Sequence, residues 1–498
     1  MNKLEELIFI PLPGMGNLVP MVETAKTLVD RDQRLFITVL IMNLPSVAEL
    51  AAYIDDLVAT SATSEERIKF IDLSKLDGYD PSAESNPGML KSLFIENQKP
   101  HVKNVVAELI RSKAGDPNSS RLAGFVVDMF CTVMMDVAAE FRVPAYVYYA
   151  SGAAFLGLMF HFQALYDDDG VDPTEFEDDP VAEFAVPSFV EPVPATSLPK
   201  ELVLKGRPPL LFYHTRKTRE AKGILVNSFT ELETHALRSL SAGYKAPPVY
   251  PVGPIIRFSS VRGTGGFADI SKWLDDQPLS SVVFLCFGSK GSFRETQLKE
   301  IACALEHSGV RFLWSLRRYP PRDKKKNTVT YASPQEYSNP RDVLSSEFFD
   351  RTAERGKVIG WAPQAEVLAH PAIGGFVSHC GWNSTLESIW FGVPMVMWPL
   401  HAEQHLNAFE LVKELRLAVE IKLDYKSYFY GEVSDDDDDG VVRWEEIESG
   451  IRRLMEHDSE IRKRVKELSE KSKRTVLKGG SSYSSMDLFI NDVIGNCT

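Results

Sequence analysis

Short, nearly continuous apolar runs alternate with helix-patterned stretches along most of this chain. Runs at residues 7–11, 35–41, 67–73, 122–129, 145–149, 223–228 and 249–252 read as strands, with helical patterns such as 20–29 and 89–111 between them. A strand that is apolar on both faces needs cover on both faces, so the pattern predicts a parallel sheet wrapped by helices. The pattern pauses at residues 253–266, where Pro254, Gly263, Gly265 and Gly266 break periodicity, and then resumes. Strands at 281–287, 311–316, 357–360, 375–378 and 394–398 follow, with helices at 295–307 and 407–415 among them. The expected fold class is α/β, with two Rossmann-like, doubly wound domains facing across a cleft. Residues 1–250 form the first domain, 251–266 a linker and 267–481 the second, while a helix over about 482–498 docks back on the first.

Composition sets the surroundings. The chain has 498 residues, 44% of them hydrophobic, which is ample for two cores and excludes wholesale disorder. Acids outnumber bases 69 to 55, giving a net charge of −14, so a basic footprint for nucleic acid or anionic lipid is not expected. No stretch reaches the about 18 apolar residues of a membrane span. Glu5 and Glu6 precede only a strand-length apolar run, unlike a signal peptide. The five cysteines, Cys131, Cys286, Cys303, Cys380 and Cys497, form no CxxC pair and lie mostly in apolar runs, as reduced thiols do. A cytoplasmic, monomeric protein is expected.

Two acidic runs, 167–179 and the five aspartates 435–439, invite a metal reading, because carboxylates suit Mg²⁺ or Ca²⁺. Solvated loops explain them better, since blocks of like charge are normally exposed. The Lys/Arg/Glu-rich stretch 459–475 reads as a solvated helix face rather than a nucleic-acid arm.

In open parallel sheets, ligands bind beyond the carboxyl ends of the strands. The richest such segment is Gly374-Gly375-Phe376-Val377-Ser378-His379-Cys380-Gly381-Trp382-Asn383-Ser384-Thr385-Leu386-Glu387. A strand ends at His379, Gly381 permits close backbone approach, and Asn383 or Ser384 starts a helix. The positive end of that helix makes a site for a diphosphate, with Ser384 and His379 as further donors. Glu387, one turn on, suits a pair of ribose hydroxyls. Adjacent His379 and Cys380 without a second pair do not make a metal site. Upstream, Trp361-Ala362-Pro363-Gln364 offers a flat indole and an amide, or else a packed core tryptophan. Downstream, Trp398 to Gln404 ends another strand, where Glu403 and Gln404 either meet sugar hydroxyls or simply begin a helix.

Taken together, the segment from Trp361 to Gln404 closely resembles the signature box of plant secondary-product UDP-glycosyltransferases. The resemblance spans Trp-Ala-Pro-Gln, His-Pro, Gly-Gly-Phe, Ser-His-Cys-Gly-Trp-Asn-Ser, Leu-Glu-Ser, Gly-Val-Pro and Glu-Gln. It extends outside the box to Pro13-Gly14-Met15-Gly16, Val226-Asn227-Ser228-Phe229, Tyr250-Pro251-Val252-Gly253-Pro254 and Phe287-Gly288-Ser289. It implies the GT-B fold of two Rossmann-like domains, a UDP-sugar donor, and no metal or other cofactor. By position, Trp361 would stack on uracil with Ala362 and Gln364 nearby. His379, Asn383, Ser384 and Ser289 would hold the diphosphate beside Gly381, and Glu387 the ribose. Trp382, Glu403 and Gln404 would contact the sugar, and Gln404 points to UDP-glucose. One departure is His401, where the family usually carries Tyr.

A second departure concerns the base. Inverting transfer needs a group that takes the proton of the attacking hydroxyl. The family uses a His after its Pro-Gly-x-Gly, oriented by an Asp on a later strand. Here that position is Asn17, while the Asp position is Asp128. An amide has no useful basicity. Three explanations stand: a substitution introduced to block turnover, a natural variant in which Asp128 serves as base directly or through water, and a donor-binding pseudoenzyme. Asn17 capping its helix is the structural alternative. Gly14-x-Gly16 after a first strand also raises a nicotinamide dehydrogenase, but Val19 stands where the third glycine of that fingerprint belongs. The acceptor is expected to meet loops around 88–94, 131–134, 149–155 and 187–200, whose surroundings include Phe130, Tyr148, Phe155 and Phe189. These suit a hydrophobic terpenoid, phenol or flavonoid.

Overall fold

The computed structural model describes residues 4–42, 53–55, 57, 67–73, 87–116, 119–177, 179, 181–257, 265–319, 322–323, 328–329, 335–425 and 440–495. The chain divides into two compact units, one of residues 1–171, 209–257 and 474–498, the other of residues 172–208 and 258–473.

The first unit is built on strands β1 (Glu5–Ile10), β2 (Leu35–Met42), β3 (Ile68–Leu73), β4 (Arg121–Asp128), β5 (Ala145–Tyr149), β6 (Gly223–Val226) and β7 (Val249–Pro251). They form one seven-stranded sheet in the order β3-β2-β1-β4-β5-β6-β7. Every pairing in it is parallel. β1 is buried along its whole length, Glu5 and Glu6 included. These two carboxylates are matched where they enter the sheet. Arg121 Nη2 reaches Glu5 Oε1 at 2.9 Å, and Glu6 accepts from Thr38 Oγ1 at 2.8 Å and pairs with Lys113. Buried charge without such partners costs far more than apolar burial at the same place.

Helix α1 (Met15–Arg31) starts five residues before the apolar periodicity suggests, with Pro20 inside it. Gly14, in extended conformation, begins the helix and accepts from Leu18 N at 2.9 Å. Residues 89–111 do not form one helix but two, Pro87–Asn97 and Lys99–Lys113. Pro100 sits in the first turn of the second, where its missing N–H costs nothing. The helix Ser481–Gly495 packs on this unit. The Phe489 ring lies edge-on to Tyr146 (5.0 Å) and Tyr250 (5.6 Å), and Tyr146 Oη donates to Asp492 Oδ2 at 2.9 Å. Arg31 sits 3.6 Å over the Tyr483 ring and donates to its carbonyl at 2.7 Å.

The second unit holds β8 (Val282–Cys286), β9 (Arg311–Ser315), β10 (Gly356–Ile359), β11 (Ile373–Ser378), β12 (Met395–Met397) and β13 (Ala418–Glu420). Their order is β10-β9-β8-β11-β12-β13, again parallel throughout. One face of the sheet packs a core that includes Trp314 and Trp398, and Phe284 stacks on Phe376 at 5.4 Å on the other. The helix expected at 407–415 runs instead as an α-helix over Gln404–Phe409 and a π-helical turn over Glu410–Glu414.

Residues 172–208, expected within the first domain, group with the second unit. They carry a small ribbon pairing Glu183–Phe184 with Val193–Pro194, and Phe189 packs on Phe409 at 6.0 Å. Acids of the 167–179 run are used locally. Asp167 pairs with Arg216, Asp172 accepts from Thr174 N at 2.9 Å, and Asp179 from Val181 N at 3.0 Å. The 435–439 run lies outside the described residues. No cluster able to hold a metal occurs among the described residues, and none of their helices is long and apolar enough to cross a membrane.

Candidate active site

In both sheets the strand order reverses once, between β1 and β4 in the first and between β8 and β11 in the second. The loops leaving two such strands part to opposite faces of the sheet, which opens a crevice beyond their carboxyl ends.

In the second unit that crevice is lined by the turn after β8 and by the start of helix α2 (Trp382–Phe391) after β11. Gly288, at φ 73°, and Gly381 both abut the His379 imidazole. A Cβ added to either would lie 2.5 or 2.6 Å from His379 Nε2. The ring is thus cradled between two bare backbone segments. Burial pushes its pKa down to about 4, so the imidazole is neutral at pH 7. Its Nδ1 has no hydrogen-bond partner among the described residues. Gly381 starts α2 without a side-chain cap, and no acidic residue occupies the first turn. A neutral ring N–H, glycine backbone and an uncapped positive helix end together suit an anion.

The helix is firmly placed. Cys380 takes φ 67°, its N–H donates to Ser378 Oγ at 3.1 Å, and its carbonyl accepts from Asn407 Nδ2 at 2.9 Å. Trp382 is buried, Asn383 half-buried, and Ser289 exposed on the turn after β8. Gln364 Nε2 donates to both Ser384 Oγ (2.9 Å) and Glu387 Oε2 (2.6 Å), so three expected polar residues form one network. Trp361 is not a core residue: it is 51% exposed and follows β10, with Ala362 buried beside it. Gln404 is buried, and its Oε1 accepts from Leu400 N at 2.9 Å and His401 N at 3.0 Å, holding the turn after β12. Glu403 keeps some exposed surface, yet its carboxyl is deep enough that burial pushes its pKa up to about 7.

In the first unit, Asn17 stands at the start of α1 after β1, and Asp128 ends β4. Asn17 Nδ2 donates to Asp128 Oδ2 at 3.0 Å, and Phe130 N to Asp128 Oδ1 at 2.9 Å. Asp128 is fully buried, and burial outweighs these two bonds and lifts its pKa to about 7. Asn17 is half-buried.

Two residues of the second-unit site were given no role by the sequence, although Gly288 stands in the Phe287-Gly288-Ser289 motif. Gly288 had a signal in the glycine that ends an apolar run. Glu336, whose Oε1 accepts from Trp361 N at 2.8 Å, had none.

A neutral imidazole between two glycines at an uncapped helix start, placed at the reversal point of a parallel sheet, is the arrangement of an anion-binding α/β protein. The profile of the UDP-glucoronosyl and UDP-glucosyl transferase family matches residues 270–424. UDP-glycosyltransferase 71A15 of Malus domestica is 52% identical over 99% of this chain and 100% of its own length. UDP-glucose flavonoid 3-O-glucosyltransferase 6 of Fragaria ananassa is 50% identical over 99% of both chains. The crystal structure of Medicago truncatula UGT71G1 complexed with UDP-glucose is 37% identical, covers 99% of both chains and superposes with a TM-score of 0.82. The chain belongs to the UDP-glycosyltransferase family and is an enzyme of the GT-B fold. That membership sets aside the nicotinamide-dehydrogenase alternative.

Proposed function

We propose that this enzyme transfers glucose from UDP-glucose to a hydroxyl of a hydrophobic small molecule, phenolic or terpenoid, with inversion at the anomeric carbon. The observation that carries the reading is the His379 cradle between Gly288 and Gly381 at the uncapped start of α2. In this reading His379, Asn383, Ser384 and Ser289 bind the diphosphate. Trp361 carries the uracil beside Ala362 and Gln364, and Glu387 takes the ribose hydroxyls. Trp382, Glu403 and Gln404 meet the sugar. No metal is needed, because the helix end and the imidazole N–H oppose the diphosphate charge. The glucose assignment is supported by Gln404 in the box and by relatives whose names specify UDP-glucose. The described cysteines are free thiols, which suits a reducing compartment such as the cytoplasm.

The acceptor oxygen forms the new bond to the anomeric carbon as the bond to UDP breaks, and its proton must go to a base. Of the pair in the first unit only Asp128 can accept a proton, and a pKa of about 7 fits that task at neutral pH. But Asp128 is fully buried, with Asn17 on one of its oxygens. An amide hydrogen-bonds a hydroxyl without relaying its proton. Turnover is therefore reduced, and acidic hydroxyls such as phenols are favoured over alkyl alcohols.

The test is to offer UDP-glucose with a panel of phenols, flavonoids and terpenoid alcohols and to read products by mass spectrometry. Glucosides are expected, formed faster from the phenols. Tight UDP binding with no glucoside from any acceptor would instead make the chain a donor-binding pseudoenzyme.

A further inference from the structure

The peptide between Gly360 and Trp361 is held at both of its polar ends by side chains. β10 stops at Ile359, whose carbonyl takes the last ladder bond, from Leu316 N at 2.8 Å. Beyond that point the sheet no longer holds the chain. The Gly360 carbonyl accepts from Ser315 Oγ at 2.6 Å, and the Trp361 N–H donates to Glu336 Oε1 at 2.8 Å. Ser315 comes from the buried sheet core. Glu336 comes from a two-residue ribbon, where it pairs with Arg317, well outside the signature box. Its carboxylate lies so close over Gly360 that a Cβ there would come within 2.7 Å of Oε1. A side chain at position 360 would thus push the Glu336 carboxylate from its place over the peptide. Trp361 itself has little else to hold it, being half exposed.

We propose that Glu336 is a positioning residue for the nucleotide: it fixes the peptide plane from which the Trp361 indole projects, and so sets the base platform for UDP. The inference rests on the reading of Trp361 as that platform. A platform costs least to use when its orientation is fixed before the ligand arrives. Without Glu336 the peptide can rotate about one remaining side-chain bond, and binding the base must then order it.

The test compares Glu336→Ala, Glu336→Gln, Gly360→Ala and Trp361→Ala in the full chain. Readouts are the UDP dissociation constant by calorimetry and the kinetic constants with UDP-glucose. Glu336→Ala is expected to weaken UDP and raise the UDP-glucose KM by about three- to tenfold, the effect of losing one hydrogen bond that water partly replaces. It should leave kcat within about twofold and the acceptor KM unmoved, a split that general destabilisation does not produce. Glu336→Gln keeps a carbonyl acceptor and should bind UDP like the parent. Gly360→Ala should displace the carboxylate and reproduce Glu336→Ala. If Trp361→Ala weakens UDP but Glu336→Ala and Gly360→Ala do not, the positioning role is wrong. It is equally wrong if Glu336→Gln behaves like Glu336→Ala. If Trp361→Ala leaves UDP affinity unchanged, Trp361 is not the platform, and both readings fall.

Discussion

Asn17 donates an amide N–H to Asp128 Oδ2 across 3.0 Å, so the carboxylate faces a hydrogen-bond donor that cannot carry its proton onward. An imidazole at the same place would present one nitrogen to Asp128 and leave the other for a substrate hydroxyl. Asn17→His is therefore expected to raise kcat by at least about tenfold, a floor set below the about 10²–10⁴-fold that a general base contributes. The gain should be larger with an alkyl alcohol than with a phenol, whose proton leaves more readily. An unchanged or lower kcat in Asn17→His, with UDP still bound, would show that this position does not limit turnover.

Asp128 gives the reaction a pH signature. If its carboxylate takes the proton, directly or through water, kcat/KM with a neutral alcohol should climb as pH rises through about 7. Asp128→Asn should lose both the activity and that inflection. A parent profile that stays flat from pH 6 to 8 would count against Asp128 as the acceptor.

The same group links stability to pH with a definite sign. Folded Asp128 keeps its proton up to about 7, whereas its ordinary pKa is 3.8. Its contribution is therefore complete below the ordinary value and is lost as pH rises toward 7. Asp128→Asn removes a buried charge at pH 8 but not at pH 4. Relative to the parent, its melting temperature should rise more at pH 8 than at pH 4. Melting curves at the two pH values decide this, and a larger relative gain at pH 4 would contradict the burial argument.

Gly381→Ala isolates the His379 cradle. At φ −64° the backbone accepts alanine without strain, so the new methyl acts only by pressing on the imidazole, 2.6 Å from Nε2. UDP affinity should fall by about tenfold, as expected for losing one hydrogen bond to a charged group, with little change in melting temperature. Unaltered UDP binding in a calorimetric titration would remove His379 from the diphosphate site.

Phe489→Ala tests how the helix Ser481–Gly495 is held. The ring is fully buried between Tyr146 and Tyr250. Truncating it should cost about 3–5 kcal/mol, the usual loss for a buried phenylalanine. Denaturant unfolding of the whole chain should show the loss in the transition of the first unit, and a cost below about 1 kcal/mol would mean the helix is dispensable to that core.

Much of this architecture was legible because burial on both faces writes itself into sequence. The strand Ala145–Tyr149 was readable to the residue from its unbroken apolar run. β13 was not, since three residues at the edge of a sheet leave no pattern to detect. Pro20 misled the reading of α1, because proline is more at home in a first turn than six residues into a helix. Residues 172–208 gave no sign of joining the second unit; their allegiance is set by contacts such as Phe189 on Phe409, which no local pattern records. The residues proposed for the donor site, Ser289 apart, stand within one short stretch of sequence, from Trp361 to Gln404. Glu336 reaches Trp361 from 25 residues upstream, through a ribbon whose own sequence is unremarkable.

The packing of the helix Ser481–Gly495 on the first unit has a consequence for biosynthesis. When residue 257 leaves the ribosome, all seven strands of the first sheet have been made, but Phe489 has not. Tyr146 and Tyr250 then expose apolar surface while residues 258–473 of the second unit are being translated. The second unit's sheet, complete by residue 420, can form before the first unit is sealed. Vectorial synthesis thus closes the earlier-made half last. A nascent chain stalled before residue 481 should therefore be the species most in need of chaperone protection.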